Sequence, residues 1–281
     1  MNSLPEIRRL AAFSHAGRGG NPAGVVLAAQ LPDAGDMQRI ARDVGYSETA
    51  FAAPERGGHR VRYFSPETEV PFCGHATIAL GAALAADQGA GCFDLFLNNA
   101  DIRVEAETAG PFPVVTLTSP PTHSSPAPGG LTRAALDLFG YEIADLDPSL
   151  PPTCASAGAA HLILALKDRR LLSAMSYDLG AGRALMRSHG LVTIALVVAE
   201  GPRLFHVRNA FASGGVVEDP ATGAAAAALA GALRAAGWPH GNDLEILQGA
   251  DMGSPSRLRV TLTDDPGTPV RVSGQVRLIE A

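Results

Sequence analysis

The chain has 281 residues, 46% apolar and 18% charged, with a formal charge of −6. That length suits two domains of about 100–150 residues, and the composition supports a sizeable core. The acidic balance, with a pI near 5.7, argues against nucleic acid or an anionic membrane as partners.

The segment Met1–Arg9 has no apolar signal core, so no secretory signal is visible. Cys73, Cys92 and Cys154 are odd in number and lack CxxC spacing. A disulfide scaffold is not expected, and a cytoplasmic location is. The single lysine, Lys167, stands beside Asp168, Arg169 and Arg170. A Schiff-base lysine needs a desolvated setting, so pyridoxal phosphate chemistry is disfavoured and no cofactor is expected.

In chain order, Ile7–Phe13 is predicted as a strand, Asn21–Gly24 as a turn, and Val25–Leu27 as the start of a second strand. Asp33 is a candidate N-cap. Met37, Ile40, Ala41 and Val44 follow helical spacing, and Gly45 is a helix stop. Strands are predicted at Tyr46–Ala52, His59–Phe64, Phe93–Leu97, Ile102–Ala106 and Val114–Leu117. The Pro/Ser/Thr/Gly-rich stretch Ser119–Gly130 reads as a linker. Beyond it come strands at Ala160–Leu166, Leu191–Val198, Arg203–Arg208, Leu258–Leu262 and Val270–Ile279, and a helix at Ala181–Ser188. Thr77–Ala86 and Thr222–Leu233 carry no polar face. Such helices must be buried, so each half of the chain is expected to wrap strands around one of them.

Both apolar helices follow the same kind of loop. The first is Glu69-Val-Pro-Phe-Cys-Gly-His75-Ala-Thr77, and the second is Val217-Glu-Asp219-Pro-Ala-Thr222-Gly223. This suggests two similar halves facing each other across one site. The first N–H groups of a helix lack intrahelical partners and carry partial positive charge. Small residues there, Gly74 and then Thr222, Gly223 and Ala224, leave those donors open to a carboxylate. A small anionic substrate is the partner this implies. The alternative is two ordinary helix caps, with Thr222 and Asp219 as cap residues.

Glu48, His75 and Asp219 are a possible acid/base set, though each alone is also a common surface, cap or local contact residue. The run Gly17–Gly24 is not a dinucleotide fingerprint, and no P-loop motif occurs. Cys73 and His75 are two apart without a second ligand pair, so no metal site is expected.

Four segments then occur in order: Gly20-Asn21-Pro22-Ala-Gly24-Val25, Ser47-Glu48-Thr-Ala-Phe51, Pro71-Phe-Cys-Gly-His75-Ala-Thr77 and Glu218-Asp219-Pro-Ala-Thr222-Gly223. Together with Gln248-Gly249, Met252-Gly253 and Pro255-Ser256, they resemble the phenazine biosynthesis PhzF-like family over essentially the whole chain. The resemblance implies a diaminopimelate-epimerase-like α/β (α+β) fold. Each of two related domains would be a rolled, mostly antiparallel sheet around a central apolar helix. The boundaries expected are 1–118, completed by the last strand at 268–281, then the linker 119–130 and a second domain at 131–267.

The resemblance also implies a cofactor-independent isomerase, as in dihydro-3-hydroxyanthranilate isomerisation, and a homodimer. By motif match Glu48 is the proton carrier, with His75 and Asp219 beside it in the catalytic set. Asn21, Gly74, Thr222, Gly223 and Ala224 would bind substrate. Ala224 stands where the family often has serine, and Ser254 where arginine is common. Two other readings are an amino-acid racemase or epimerase without the two-cysteine pair, and a non-catalytic small-molecule-binding member of the fold. The first lacks a second thiol opposite Cys73. The second is favoured by Ala224 but opposed by the intact acid/base set.

Overall fold

A helix apolar on every side needs cover on every side, and each half of the chain supplies one such helix with a sheet around it. The computed structural model describes residues 6–280. It divides into two units. The first runs to Thr118 and takes back the chain from Ser273 onward; the second is Ser119–Val272.

The first unit contains β1 (Ile7–Ser14), β2 (Asn21–Leu27), α1 (Ala34–Val44), β3 (Thr49–Glu55), β4 (Gly58–Phe64) and β5 (Glu69–Val70). Then follow α2 (Gly74–Gln88), β6 (Gly91–Phe96), β7 (Asp101–Glu107) and β8 (Val114–Thr118). Its sheet runs β1-β2-β3-β4-β6-β7-β8 and then to the chain's last strand, Arg271–Leu278, which pairs back onto β1. The sheet therefore closes into a ring. Pairs β2–β3 and β4–β6 are parallel, while β1–β2, β3–β4, β6–β7 and β7–β8 are antiparallel. Helix α2 is buried continuously from His75 to Ala85. Gly81 allows the sheet to close on it, because a Cβ there would lie 2.7 Å from Val115 Cγ1.

Helix α1 begins and ends as its sequence suggests. The Asp33 carboxylate accepts a hydrogen bond from Asp36 N–H, and Gly45 stops the helix in the left-handed region at φ 73°. Met37, Ile40 and Ala41 are buried against Val26, Phe51 and Phe64. Two local expectations change. Asn21–Gly24, read as a turn, opens β2. The ladder to β3 begins only at Gly24 opposite Thr49, so Pro22 lies where one side of β2 is still an edge, a position that tolerates proline. The strand expected from Tyr46 starts at Thr49, because residues 46–48 form the loop after the Gly45 stop.

The second unit contains β9 (His123–Pro126), α3 (Gly129–Phe139), β10 (Thr153–Ser156), β11 (Ala160–Ala165), α4 (Arg169–Ser173) and α5 (Leu179–Ser188). Then come β12 (Thr193–Ala199), β13 (Leu204–Ala210), β14 (Glu218–Asp219), α6 (Gly223–Ala235), β15 (Asp243–Gln248) and β16 (Ser256–Thr261). The order β9-β10-β11-β12-β13-β15-β16 repeats the first unit's grammar. The pair β11–β12 is parallel like β2–β3, and β13–β15 is parallel like β4–β6. Short β14 pairs with β13 as β5 pairs with β4. A buried helix follows each, α2 in one unit and α6 in the other. The fold is thus α/β, with two related domains, each a rolled sheet around a central apolar helix.

The segment 119–130, expected as a linker, carries β9, paired with β10, and the first two residues of α3. All four residues of β9 are exposed, so neither Ser nor Pro there costs core packing. No helix among the described residues is long and apolar enough to cross a membrane.

One buried group makes the second unit sensitive to acid. His161 on β11 is fully buried, with Nδ1 2.7 Å from Thr193 Oγ1. Burial pushes its imidazole down from 6.5 to about 4. Between those values the unfolded chain binds a proton that the folded chain refuses. Stability contributed by neutral His161 is therefore complete above 6.5, falls as pH drops, and levels off below about 4. The loss amounts to about 3 kcal/mol. Urea unfolding midpoints across this range should show the slope in the wild type and a smaller one in His161→Gln. An unchanged slope in the variant would contradict the assignment.

Candidate active site

The Gly45 stop turns the chain out of α1, and Ser47 and Glu48 form the short loop that enters β3. The backbone of this loop is tied down, since Gly24 N–H donates to the Glu48 carbonyl at 3.1 Å. Opposite it is the N-terminus of α2. Cys73 occupies the N-cap position and His75 the first turn. Glu48 Oε2 lies 3.4 Å from His75 Nε2, and Ser47 Oγ lies 3.3 Å from the same nitrogen. Cys73 Sγ lies 3.3 Å from His75 Nδ1. Both side chains are largely shielded, with 9% of the His75 side chain and 17% of the Glu48 side chain exposed.

The scaffold beneath is polar but internally satisfied. Thr77 Oγ1 donates to the Cys73 carbonyl at 2.7 Å and lies 2.6 Å from Tyr63 Oη. Burial pushes the Tyr63 phenol upward, so that hydroxyl stays neutral and serves position rather than chemistry. Gly74 opens α2, and Asn21 opens β2 at the end of the sheet where Ser47 and Glu48 enter β3. Asn21 is buried.

In the second unit, Asp219 ends β14 and is 9% exposed. Its carboxylate accepts a hydrogen bond from Thr222 Oγ1. The Gln248 side chain stitches the loop together: its amide N–H donates to the Asp219 carbonyl at 2.6 Å, and its oxygen accepts from Thr222 N–H at 3.3 Å. Thr222, Gly223 and Ala224 form the entry to α6. At the N-cap positions themselves, neither Thr222 nor Cys73 makes a side-chain capping hydrogen bond; the Thr222 hydroxyl is given to Asp219 instead. Helix N-termini favour anions.

The two loops superpose residue for residue in the strand pairing. Phe64 pairs with Glu69, and Ala210 pairs with Glu218. Two residues earlier on β4 and β13 stand Arg62 and Arg208. Each clamps the glutamate of its short strand, at 2.6 Å in both cases. Arg62, by its hydrogen bonds, holds the Glu69 carboxyl below its ordinary range. Counting on from the glutamates, Cys73 corresponds to Thr222 and His75 to Ala224. Each copy thus has ionisable groups that the other lacks: Asp219 stands where the first copy has Val70, and Cys73 and His75 stand where the second has Thr222 and Ala224.

Sequence reading brought Glu48 and His75 forward, and they are neighbours. Three neighbours of the candidate residues were not brought forward. Ser47 was visible only as part of a motif. Gln248 was visible only through its Gln-Gly dipeptide. Asn209, directly opposite Asp219 in the β13–β14 pairing, gave no signal; its amide nitrogen and oxygen are buried without a hydrogen-bond partner in the protein. Spacing also offered only Cys73 and His75 as possible metal ligands, and the fold adds Glu48 to them.

Because Gln248 fixes both ends of the Asp219–Thr222 loop, Gln248→Leu should cost on the order of 100-fold in kcat through misplacement alone. The far-UV spectrum should be unchanged. Equal kcat in variant and wild type would remove Gln248 from the site.

Comparison with known proteins gives a consistent picture. The family model for PhzC-PhzF, described as phenazine biosynthesis-like protein, matches residues 10–280. A Deinococcus radiodurans protein called an uncharacterized isomerase is 34% identical over 260 residues, covering 89% of this chain and 84% of its own. A Pseudomonas chlororaphis trans-2,3-dihydro-3-hydroxyanthranilate isomerase is 33% identical over 279 residues, covering 94% and 93%. Among solved structures, a PhzF-family phenazine biosynthesis protein from Bacillus anthracis superposes with a TM-score of 0.86 at 23% identity, over 98% of this chain and 96% of its own. At that identity it bears on the fold alone.

Proposed function

Given that the chain belongs to the phenazine biosynthesis-like PhzC-PhzF family and is an isomerase of that type, we propose that it shifts a proton within a small, cyclic, unsaturated carboxylic acid. The observation that carries this reading is the Glu48 carboxylate, shielded and within ion-pair reach of His75 Nε2. In the proposed reaction Glu48 takes a proton from one ring carbon. The electron pair left behind moves the double bond, and the Glu48 carboxylic acid returns the proton to another carbon. No electron leaves the substrate and its mass is unchanged. His75 orients the Glu48 carboxyl, and Ser47 lies against His75 Nε2. Asp219 serves the same reaction by accepting a hydrogen bond from a polar substituent. Helix N-terminal N–H groups bind the substrate carboxylate, which fits an anionic ligand.

The substrate class follows the Pseudomonas chlororaphis relative, named for dihydro-3-hydroxyanthranilate. Ala224 supports a substrate with fewer polar contacts at the α6 start, because only backbone donors are offered there. The test is to incubate the protein with trans-2,3-dihydro-3-hydroxyanthranilate and a panel of cyclic unsaturated acids, reading products by NMR and mass. A product of unchanged mass with a moved double bond is expected. No conversion across the panel, or a change of mass, would contradict the reading.

A further inference from the structure

We propose that Glu48, Cys73 and His75 form a reversible binding site for a borderline-soft divalent cation, zinc above all, and that filling it switches off proton transfer. One ligand atom from each of the three lies within 4.8 Å of the others. A tetrahedral zinc ion with bonds of about 2.3 Å to sulfur and about 2.0–2.1 Å to nitrogen and oxygen holds S and N about 3.6 Å apart and N and O about 3.4 Å apart. Glu48 Oε2 to His75 Nε2 is 3.4 Å. Cys73 Sγ is 3.3 Å from one imidazole nitrogen and 3.9 Å from the other. Cys73 Sγ lies nearer Nδ1 than Nε2, so joining Glu48 at an ion on Nε2 requires the Cys73 side chain to turn to another rotamer.

The chemistry of the set selects the ion. Thiolate with imidazole favours zinc or cobalt and disfavours magnesium and calcium, which take oxygen ligands. One thiolate and one carboxylate neutralise a dication, so the filled site carries no net charge into a shielded region. On binding, the Cys73 S–H bond breaks, its proton passes to water, and the S–Zn bond forms; nothing is oxidised or reduced. Three protein ligands leave a fourth position for water, as in an open site. His75 Nε2 and the Glu48 oxygen are then both consumed by the metal. The inhibitory half of the proposal therefore rests on the assignment of Glu48 as the proton carrier, whereas the metal site does not.

The test uses the full-length protein after treatment with a chelator. Cobalt(II) should bind one equivalent and give a thiolate-to-cobalt charge-transfer absorption, which zinc then bleaches. Cys73→Ser should lose the absorption. Glu48→Gln and His75→Asn should each weaken zinc binding at least about tenfold, since loss of a direct ligand exceeds the effect of an outer-shell change. Circular dichroism establishes that each variant is folded, and any one folded variant suffices. Absence of the absorption in the wild type, or its persistence in Cys73→Ser, would overturn the site. In the same samples zinc should stop isomerisation and chelator should restore it. Tight zinc binding with undiminished isomerisation would leave the site standing and overturn both the switch and the role of Glu48.

Discussion

Glu48→Gln is expected to lower turnover by about 100- to 10,000-fold while sparing substrate binding. The amide matches the carboxylate in size and still presents an oxygen toward His75 Nε2, now 3.4 Å from Glu48 Oε2. It cannot take up a proton from carbon, so the loss falls on kcat rather than on KM. Glu48→Asp is the informative companion. It keeps the acid but withdraws it by one methylene, a misplacement worth on the order of 100-fold. If Glu48→Gln turns over as fast as the wild type, another group carries the proton.

The second large effect is on stability. Arg208→Met should destabilise the second unit by about 3–5 kcal/mol. The Arg208 and Glu218 side chains are 11% and 4% exposed, so removing the guanidinium strands a carboxylate in a nearly dry setting. Arg208 also donates to the carbonyls of Ser173 and Met175, at 3.0 and 3.2 Å, tying β13 to the end of α4. Adding Glu218→Leu should recover much of the loss, because the cost lies mainly in the unpaired charge. A drop in Tm on the order of 10 °C for the single variant is the readout. A single variant as stable as the wild type, or a double variant no better than the single, would contradict this account. Because Glu218 precedes Asp219 in β14, the single variant should also lose activity before it unfolds.

Legibility of the fold followed the physics of each element. The two central helices were plain in the sequence because Ala/Leu/Gly on all sides admits one solution, burial. The duplication was visible because each copy needs the same Glu-x-Pro turn before its helix. Helix α3 went unread: Pro128, Gly129 and Gly130 at its start look like linker, although Leu131, Ala135, Leu136 and Phe139 are the buried residues of a helical stripe. Strand β15 was missed in spite of the alternation of buried Leu244, Ile246 and Gln248. Its other face, Asp243, Glu245 and Leu247, is half-buried and mixes two carboxylates with a leucine, which blurs the alternation.

The site was half legible. Local motifs pointed to Glu48, His75 and Asp219, but nothing local could reveal that Glu48 sits beside His75. That contact depends on β3 joining the sheet beside β2 and on the Gly45 turn that releases residues 46–48. The Arg–Glu clamps were equally hidden. Arg62 and Glu69 are separated along the chain by a loop, and only the β4–β5 pairing brings them together. The cation site shares this origin: Cys73 and His75 are near in sequence, and the fold alone supplies Glu48.

The most direct test of the central claim is hydrogen exchange in heavy water, using cyclic unsaturated carboxylic acids as candidate substrates. The wild type should introduce deuterium at a substrate carbon as the double bond moves, and Glu48→Gln should introduce none. Exchange at the wild-type rate by Glu48→Gln would show that this carboxylate is not the proton carrier.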